Sequence, residues 1–203
     1  MLMPMKISNH KIGDDTLIFN LCSSHNCPSK RLGLCQLENP DIDCYGMNDE
    51  VFRPRALHYR NRQEFAWNCC SSKQIAEQII KRVEGRRTTP LEYLRVSEAG
   101  DLKTQRDVAK LIDVAKRLDG LLVTYVYTAR KDLNFSKRGP LVVNGSGFMV
   151  DNAFNIVPVP PKRKPVCVNN CRLCDMCKEK GGRTIYAKFR RRLQLLNKGG
   201  HHD

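Results

Sequence analysis

The sequence predicts an α/β fold, a partial (β/α) barrel that carries cysteine-rich metal loops near its N- and C-terminal ends. Three observations favour this fold. Short apolar runs alternate with amphipathic helices, one run is apolar on both faces, and eight of the ten cysteines fall into two groups of four. With 203 residues, the chain is long enough to bury a hydrophobic core without crosslinks.

The first predicted strand covers residues 16–21 (TLIFNL) and leads directly into a cysteine-rich loop, residues 22–46. Residues 49–67 have a mixed pattern that favours a helix. From Ser72 onwards, apolar residues recur at helical spacing until Gly85 ends the helix. The N-terminal part therefore predicts a strand, a metal loop and helices in that order.

A second predicted strand, residues 91–97, precedes a helix that begins at Thr104 with Asp107 three residues later, the arrangement of a capping box. Residues 121–127 (LLVTYVY) are apolar on both faces, which is typical of strands in parallel sheets covered by helices. Strand, helix and parallel strand therefore alternate along the chain.

The remaining predicted strands are weaker. Residues 141–150 and 153–157 have strand patterns, and Asp151 and Asn152 between them indicate a hairpin or a more open strand pair. A further short strand is predicted in the segment RTIYAKF, residues 183–189.

The chain divides into two predicted parts. Residues 1–158 form the partial barrel with its N-terminal cysteine loop. Residues 159–203 contain a proline-rich basic linker (PVPPKRKP, 158–165), a cysteine module and a basic C-terminal tail, all expected to pack on the same domain.

The C-terminal cysteines carry the strongest motif in the chain, because four thiols lie within eleven residues and the last three of them form two consecutive Cys-x-x-Cys steps. Such a compact segment favours an iron–sulfur cluster, since one short loop can wrap a four-iron cubane. Zinc is the alternative, although zinc sites more often use two separated pairs, and a disulfide or merely reactive group is a third interpretation. The predicted ligands are Cys167, Cys171, Cys174 and Cys177.

The N-terminal cysteines are spaced more loosely, at Cys22, Cys27, Cys35 and Cys44. A loop rich in proline and glycine can still bring four thiols to one metal, and metal binding would order that loop. His25 lies between the first two cysteines and is either a substitute ligand or a surface histidine. The adjacent pair at residues 69–70 is predicted to mark a helix boundary, with one of the two thiols buried.

Chemistry in parallel α/β sheets gathers where strands end, and three predicted loops meet at that edge. Besides the cysteine loop, these loops carry Glu98 and Asp101 after the second strand and Arg130 after the third. The two carboxylates are candidates for holding a cation, an amine or a hydroxyl, and the arginine for an anion. The structural alternatives are that the two carboxylates belong to the turn at a helix start and that the arginine is an ordinary surface residue.

The formal net charge is +14, and its excess lies mainly in residues 51–95 and 159–203, including the KRK run at 162–164 and the arginines at 190–192. A basic surface of this kind favours nucleic acid or an acidic protein as partner, with a solvated basic face as the alternative. No apolar run reaches the length of a membrane span and no secretory signal is present, so we expect a cytoplasmic protein without membrane contact.

Four segments in a fixed order resemble a known family: the loop that ends in Cys44-Tyr45, residues 95–101, residues 127–130, and the terminal CVNNCRLCDMCKEKGGRTIYAK. They resemble cysteine-rich proteins of bacteriophages and other mobile elements that look like radical S-adenosylmethionine enzymes. The resemblance implies a radical-SAM-like partial barrel with one or two bound 4Fe-4S clusters, located in the host cell cytoplasm. The molecular activity of that family is poorly defined.

Radical enzymes of this appearance use Cys-x-x-x-Cys-x-x-Cys after the first strand, and here that spacing occurs only near the C-terminus, where Cys177 adds a fourth thiol. The expected functions are therefore a cluster-bearing binding or regulatory protein, an enzyme using S-adenosylmethionine or electron transfer, or a zinc-stabilised nucleic-acid-binding protein.

Overall fold

A computed structural model describes residues 3–9 and 11–188 of the chain. Its strands are β1 (Lys6–Ile7), β2 (Thr16–Phe19), β3 (Tyr93–Val96), β4 (Val123–Thr128), β5 (Val142–Ser146), β6 (Asn152–Val157) and β7 (Thr184–Lys188). Its helices are α1 (Pro28–Arg31), α2 (Pro40–Asp43), α3 (Tyr45–Phe52), α4 (Pro54–Cys69), α5 (Ser72–Glu84) and α6 (Gln105–Arg117).

The seven strands form one sheet in chain order, from β1 to β7. β1 is antiparallel to β2, and every other neighbouring pair is parallel. The fold is therefore α/β with a mostly parallel sheet, as the alternating pattern predicts. None of the helices in the described part of the chain is long and apolar enough to cross a membrane.

Alternation along the strands gives the sheet two distinct faces. One face, here called the helix face, carries Leu94, Val96 and Val126, which pack in one buried core with α5 and α6. Both helices begin with capping boxes, at Ser71 and Thr104, so their starts are fixed locally as well as by packing.

The opposite face, here called the cysteine face, carries Arg95, Tyr125 and Tyr127, because the register pairs Arg95 with Tyr125 on the neighbouring strand. The C-terminal cysteine segment, residues 167–178, packs on this face. Both faces of the sheet are therefore covered, which accounts for the apolar character of β4 on both sides.

The stretch 49–67 is not one helix. α3 ends at Phe52 and α4 begins at Pro54, with Arg53 in a non-helical conformation between them. Proline restricts the preceding residue to extended backbone and is favoured at a helix start, so the break falls where Pro54 requires it.

The hairpin interpretation of residues 141–157 is wrong, because β5 and β6 are parallel and joined by a short loop, residues 147–151. Asp151, at the end of this loop, binds the backbone near the start of β5. Its amide donates to the carbonyl oxygen of Val143 (3.1 Å), and its carboxylate accepts from the Val143 amide (2.9 Å). Arg138 holds the same carboxylate from the other side.

The predicted C-terminal strand forms β7, parallel to β6, so the segment after the proline-rich linker completes the same sheet. The linker itself is exposed, including Lys162 and Lys164. The arginines at 190–192, part of the predicted basic tail, lie outside the described residues.

Candidate metal centres

The N-terminal cysteines lie where β2, β3 and β4 end. Cys22 follows β2, and its Sγ lies 3.5 Å from the carbonyl oxygen of Asp101, which follows β3. Cys27 immediately precedes α1, and Cys44 separates α2 from α3. Short helices that begin with proline therefore set the directions from which these thiols approach one another.

Gly100 lets Cys22 approach the loop after β3. Its φ angle is +74°, and a Cβ atom there would overlap the carbonyl oxygen and Sγ of Cys22. Only glycine accommodates both the left-handed backbone and the packed cysteine.

The N-terminal thiols share one electrostatic environment. Burial, together with neighbouring acidic groups, raises the pKa of Cys22 to about 12 and that of Cys27 to about 12. For Cys27, the acidic groups that raise the pKa are Asp101 and Cys44. Burial and the same two neighbours also raise the pKa of Cys35. The buried thiols are thus protonated at neutral pH without metal, so metal binding must release protons.

Asp101 joins three of the loops at this edge. Its buried carboxylate accepts hydrogen bonds from Ser29 Oγ (2.6 Å), the Ala129 amide (2.8 Å) and the Leu102 amide (2.8 Å). Burial raises its pKa, and these donors offset only part of that increase. The expected proximity of Asp101 to the cysteine loop is therefore found, and its oxygens are occupied in positioning that loop.

Glu98 and Arg130 also lie at this edge, but they have different partners. The Glu98 carboxylate accepts from Asn9 Nδ2, and the Glu98 backbone carbonyl accepts from the hydroxyl of Tyr45 (3.1 Å), near the end of the cysteine loop. Arg130 instead donates to the carbonyl oxygens of residues 102 and 103 and pairs with Asp132 at 2.7 Å. Arg130 is thus engaged by the loops after β3 and β4 rather than by the cysteine loop.

A buried ion-pair network that the sequence did not reveal supports the cysteine loop. Glu50 in α3 is 2% exposed and accepts from the Ser24 amide (2.7 Å) and from Arg60 of α4 (2.9 Å). The Nδ1 atom of His25 lies 2.8 Å from the same carboxylate, so His25 interacts with Glu50 in this structure. An acidic residue on a short helix gives no signal of such a role.

This network predicts an acid-sensitive fold. Burial raises the pKa of Glu50, but hydrogen bonds from Ser24, His25 and Arg60 lower it more, so the net pKa is depressed. A depressed carboxyl pKa stabilises the fold above the ordinary value of 4.5, and that stability is lost as the pH falls through the depressed pKa. Glu50→Gln should therefore cost about 2–3 kcal/mol at pH 7 and much less at pH 3, measured by urea denaturation.

The exposed carboxylate of Glu77 in α5 provides the matched control, Glu77→Gln, because in the described part of the chain its one ion-pair partner is Lys73, at 4.0 Å. This control should change stability by less than about 0.5 kcal/mol at both pH values. A Glu50→Gln penalty that stays the same at both pH values would contradict the assigned direction of the pKa shift.

The C-terminal cysteines line one cavity on the cysteine face of the sheet, together with Tyr125, Tyr127 and Ile185. Backbone hydrogen bonds hold the segment in place. The Cys167 amide donates to the Tyr186 carbonyl (2.7 Å), the Cys171 amide to the Lys11 carbonyl (2.8 Å), and Asn144 Nδ2 to the Cys177 carbonyl (2.9 Å). The four predicted ligands Cys167, Cys171, Cys174 and Cys177 are thereby brought together.

Burial raises the pKa of Cys177 to about 11, with the adjacent Tyr127 offsetting part of the increase. Burial also raises the pKa of Cys171, which Arg95 partly lowers. As at the N-terminal group, these thiols are neutral without metal, and a bound metal would convert them to thiolates.

Arg95 is the functional candidate that the sequence analysis did not single out. Its guanidinium carbon lies 4.9 Å from the centroid of the Tyr127 ring, and its Nε atom is buried without a hydrogen-bond partner among the described residues. No carboxylate within residues 3–9 and 11–188 forms an ion pair with it. The sequence did contain one indication of this role, because a cation stands within the predicted strand LEYLRVS. Side chains alternate between the two faces of a strand, so this cation lies on the face opposite Leu94 and Val96.

All ten cysteines are free thiols. Cys69 ends α4 and Cys70 follows it, which confirms the predicted helix boundary, but neither thiol is buried, since Cys69 is exposed and Cys70 half-buried. Within the described ranges, no three or more Cys, His, Asp or Glu side chains are arranged to hold a single metal ion. Each cysteine group is therefore a set of neighbouring thiols rather than a closed single-ion site.

Comparison with family models, with curated proteins and with solved structures gives no match for this chain.

Proposed function

We propose that this chain is an iron–sulfur protein with a binding or regulatory role, which holds one 4Fe-4S cluster at its C-terminal cysteines and a second at its N-terminal cysteines. The observation that carries the proposal is the shared cavity of the four C-terminal thiols beside the unpartnered cation of Arg95. A cluster would supply a redox-active or structural centre at each group.

Charge balance supports a negatively charged group in that cavity. A half-buried guanidinium without a carboxylate is unfavourable, and so are four half-buried thiolates without a cation. Four thiolates outweigh the roughly 2+ charge of a four-iron core, so a cluster on these ligands would place negative charge next to Arg95. The residues present therefore fit the group.

The choice of iron–sulfur over zinc depends on the compact segment. In residues 167–177, backbone amides can approach the sulfurs of a cluster that the segment encloses. A zinc tetrathiolate would carry a similar negative charge, so Arg95 does not distinguish the two metals. The zinc alternative would make the chain a metal-stabilised nucleic-acid-binding protein.

A binding or regulatory role is favoured over catalysis because four thiolates leave no iron open to a substrate at the C-terminal group. At the N-terminal group, Asp101 already accepts three hydrogen bonds, and its carboxylate is not free for the amino group of S-adenosylmethionine. An enzyme remains the second candidate only if one iron of the N-terminal cluster lacks a thiolate.

Anaerobic purification followed by iron, acid-labile sulfide and zinc analysis tests the proposal. We expect about eight iron and eight sulfide per chain if both groups hold cubanes, with broad visible absorbance and little zinc. Zinc without sulfide would establish the zinc alternative. A chain that stays free of both metals after anaerobic reconstitution with iron and sulfide would refute metal binding at these cysteines.

A further inference from the structure

A cavity of about 700 Å³ lies between the edge strand β1 and the start of α4, and none of the ten cysteines lines it. Met5, Pro54 and Tyr59 contribute to its wall. Four cations and two carboxylates also line it: Lys6, Arg53, Arg55, Arg60, Asp49 and Glu98.

The two carboxylates face cations of the chain itself. Arg60 lies 3.0 Å from Asp49 and 3.9 Å from Glu98, and Arg53 lies 3.3 Å from Asp49. Lys6 and Arg55 have no ion-pair partner in the described part of the chain. Both are exposed, so their positive charges remain available at the cavity.

The start of α4 adds positive charge at the same place. This 16-residue helix has no side-chain cap at Arg53 and no acidic residue in its first turn, where Arg55 stands instead. The N-terminus of a helix carries partial positive charge and favours anions, so basic residues there are unfavourable unless an anion accompanies them. Asp49 pairs with Arg53 and Arg60 at this helix start, whereas Arg55 and the neighbouring Lys6 have no anionic partner in the described part of the chain.

We propose that this cavity binds a phosphate-bearing ligand, with Lys6 and Arg55 contacting the phosphate groups at the start of α4. The cavity volume falls within the range of about 300–1,000 Å³ for small-molecule sites, which is enough for a nucleotide. The same phosphate chemistry is presented by a nucleic-acid backbone. The site does not depend on metal at either cysteine group.

Isothermal titration calorimetry at low salt with ADP, inorganic pyrophosphate and a short single-stranded oligonucleotide tests this site on the full chain. The variant is Lys6→Gln with Arg55→Gln, and both substitutions fall on exposed side chains. The control is Lys73→Gln with Arg106→Gln, an equal charge change on exposed residues of α5 and α6 that do not line the cavity.

We expect at least one probe to bind the native chain and to bind the cavity variant about tenfold or more weakly, with the control unchanged. Tight ADP or pyrophosphate binding identifies a free phosphate compound as the source, and binding of the oligonucleotide alone identifies a nucleic-acid backbone. The proposal is overturned if no probe binds the native chain, or if the cavity variant and the control bind equally well.

Discussion

Replacing Cys171 and Cys174 with serine should remove the proposed C-terminal cluster and destabilise the fold. The iron and sulfide content should fall to about half, because the N-terminal group is independent. The melting temperature should fall by roughly 10 °C or more, since the binding energy of a metal that orders a segment is also folding energy. Metal analysis and thermal denaturation under anaerobic conditions measure both effects.

Cys69→Ser with Cys70→Ser is the matched control, because it removes two thiols at the end of α4 that belong to neither group. The control should keep its full iron content. An unchanged iron content and melting temperature in the Cys171/Cys174 variant would show that these residues are not ligands. Equal losses in both variants would point to general thiol damage rather than to a site.

Gly100→Ala should be the most damaging small substitution at the N-terminal group. The new methyl group must displace Cys22 from the loop after β3, and the left-handed backbone adds its own cost. Together these effects should destabilise the chain by about 3 kcal/mol. If the proposed clusters are present, the displaced thiol should also lower the iron content at the N-terminal group and leave that at the C-terminal group unchanged.

Gly120→Ala separates the two causes. Gly120 has a similar φ of +78°, but a Cβ atom there meets nothing within 4 Å. This control should cost about 1 kcal/mol from backbone strain and leave the iron content unchanged. If both variants lost stability equally and kept their iron, the close packing of Cys22 on Gly100 would have no bearing on metal binding.

Local pattern was sufficient for much of the fold. Helical periodicity and capping boxes predicted α5 and α6, and the doubly apolar run predicted β4, because these signals arise within each element. The direction of β6 was not predictable, since it depends on Asp151 binding both backbone groups of Val143. β1 has only two residues, too few for any pattern.

The candidate site was predictable in composition but not in arrangement. Cysteine spacing identified the two groups, and the rule that loops gather at strand ends placed Asp101 near Cys22. The position of the C-terminal cysteines against Tyr127 depends on a long-range packing choice that spacing does not encode. The role of Glu50 likewise arises only when α3 and α4 bring it together with Arg60.

The place of the C-terminal cysteines between β6 and β7 imposes an order on biosynthesis. β7 pairs with β6 and also holds the start of the cysteine segment, where the Tyr186 amide donates to the Pro165 carbonyl (2.9 Å). During translation, the earlier strands can assemble before β7 leaves the ribosome. Arg95 and Tyr127 therefore stay uncovered until the cysteine segment, residues 167–178, has been synthesised, and that segment is fixed only when β7 pairs with β6.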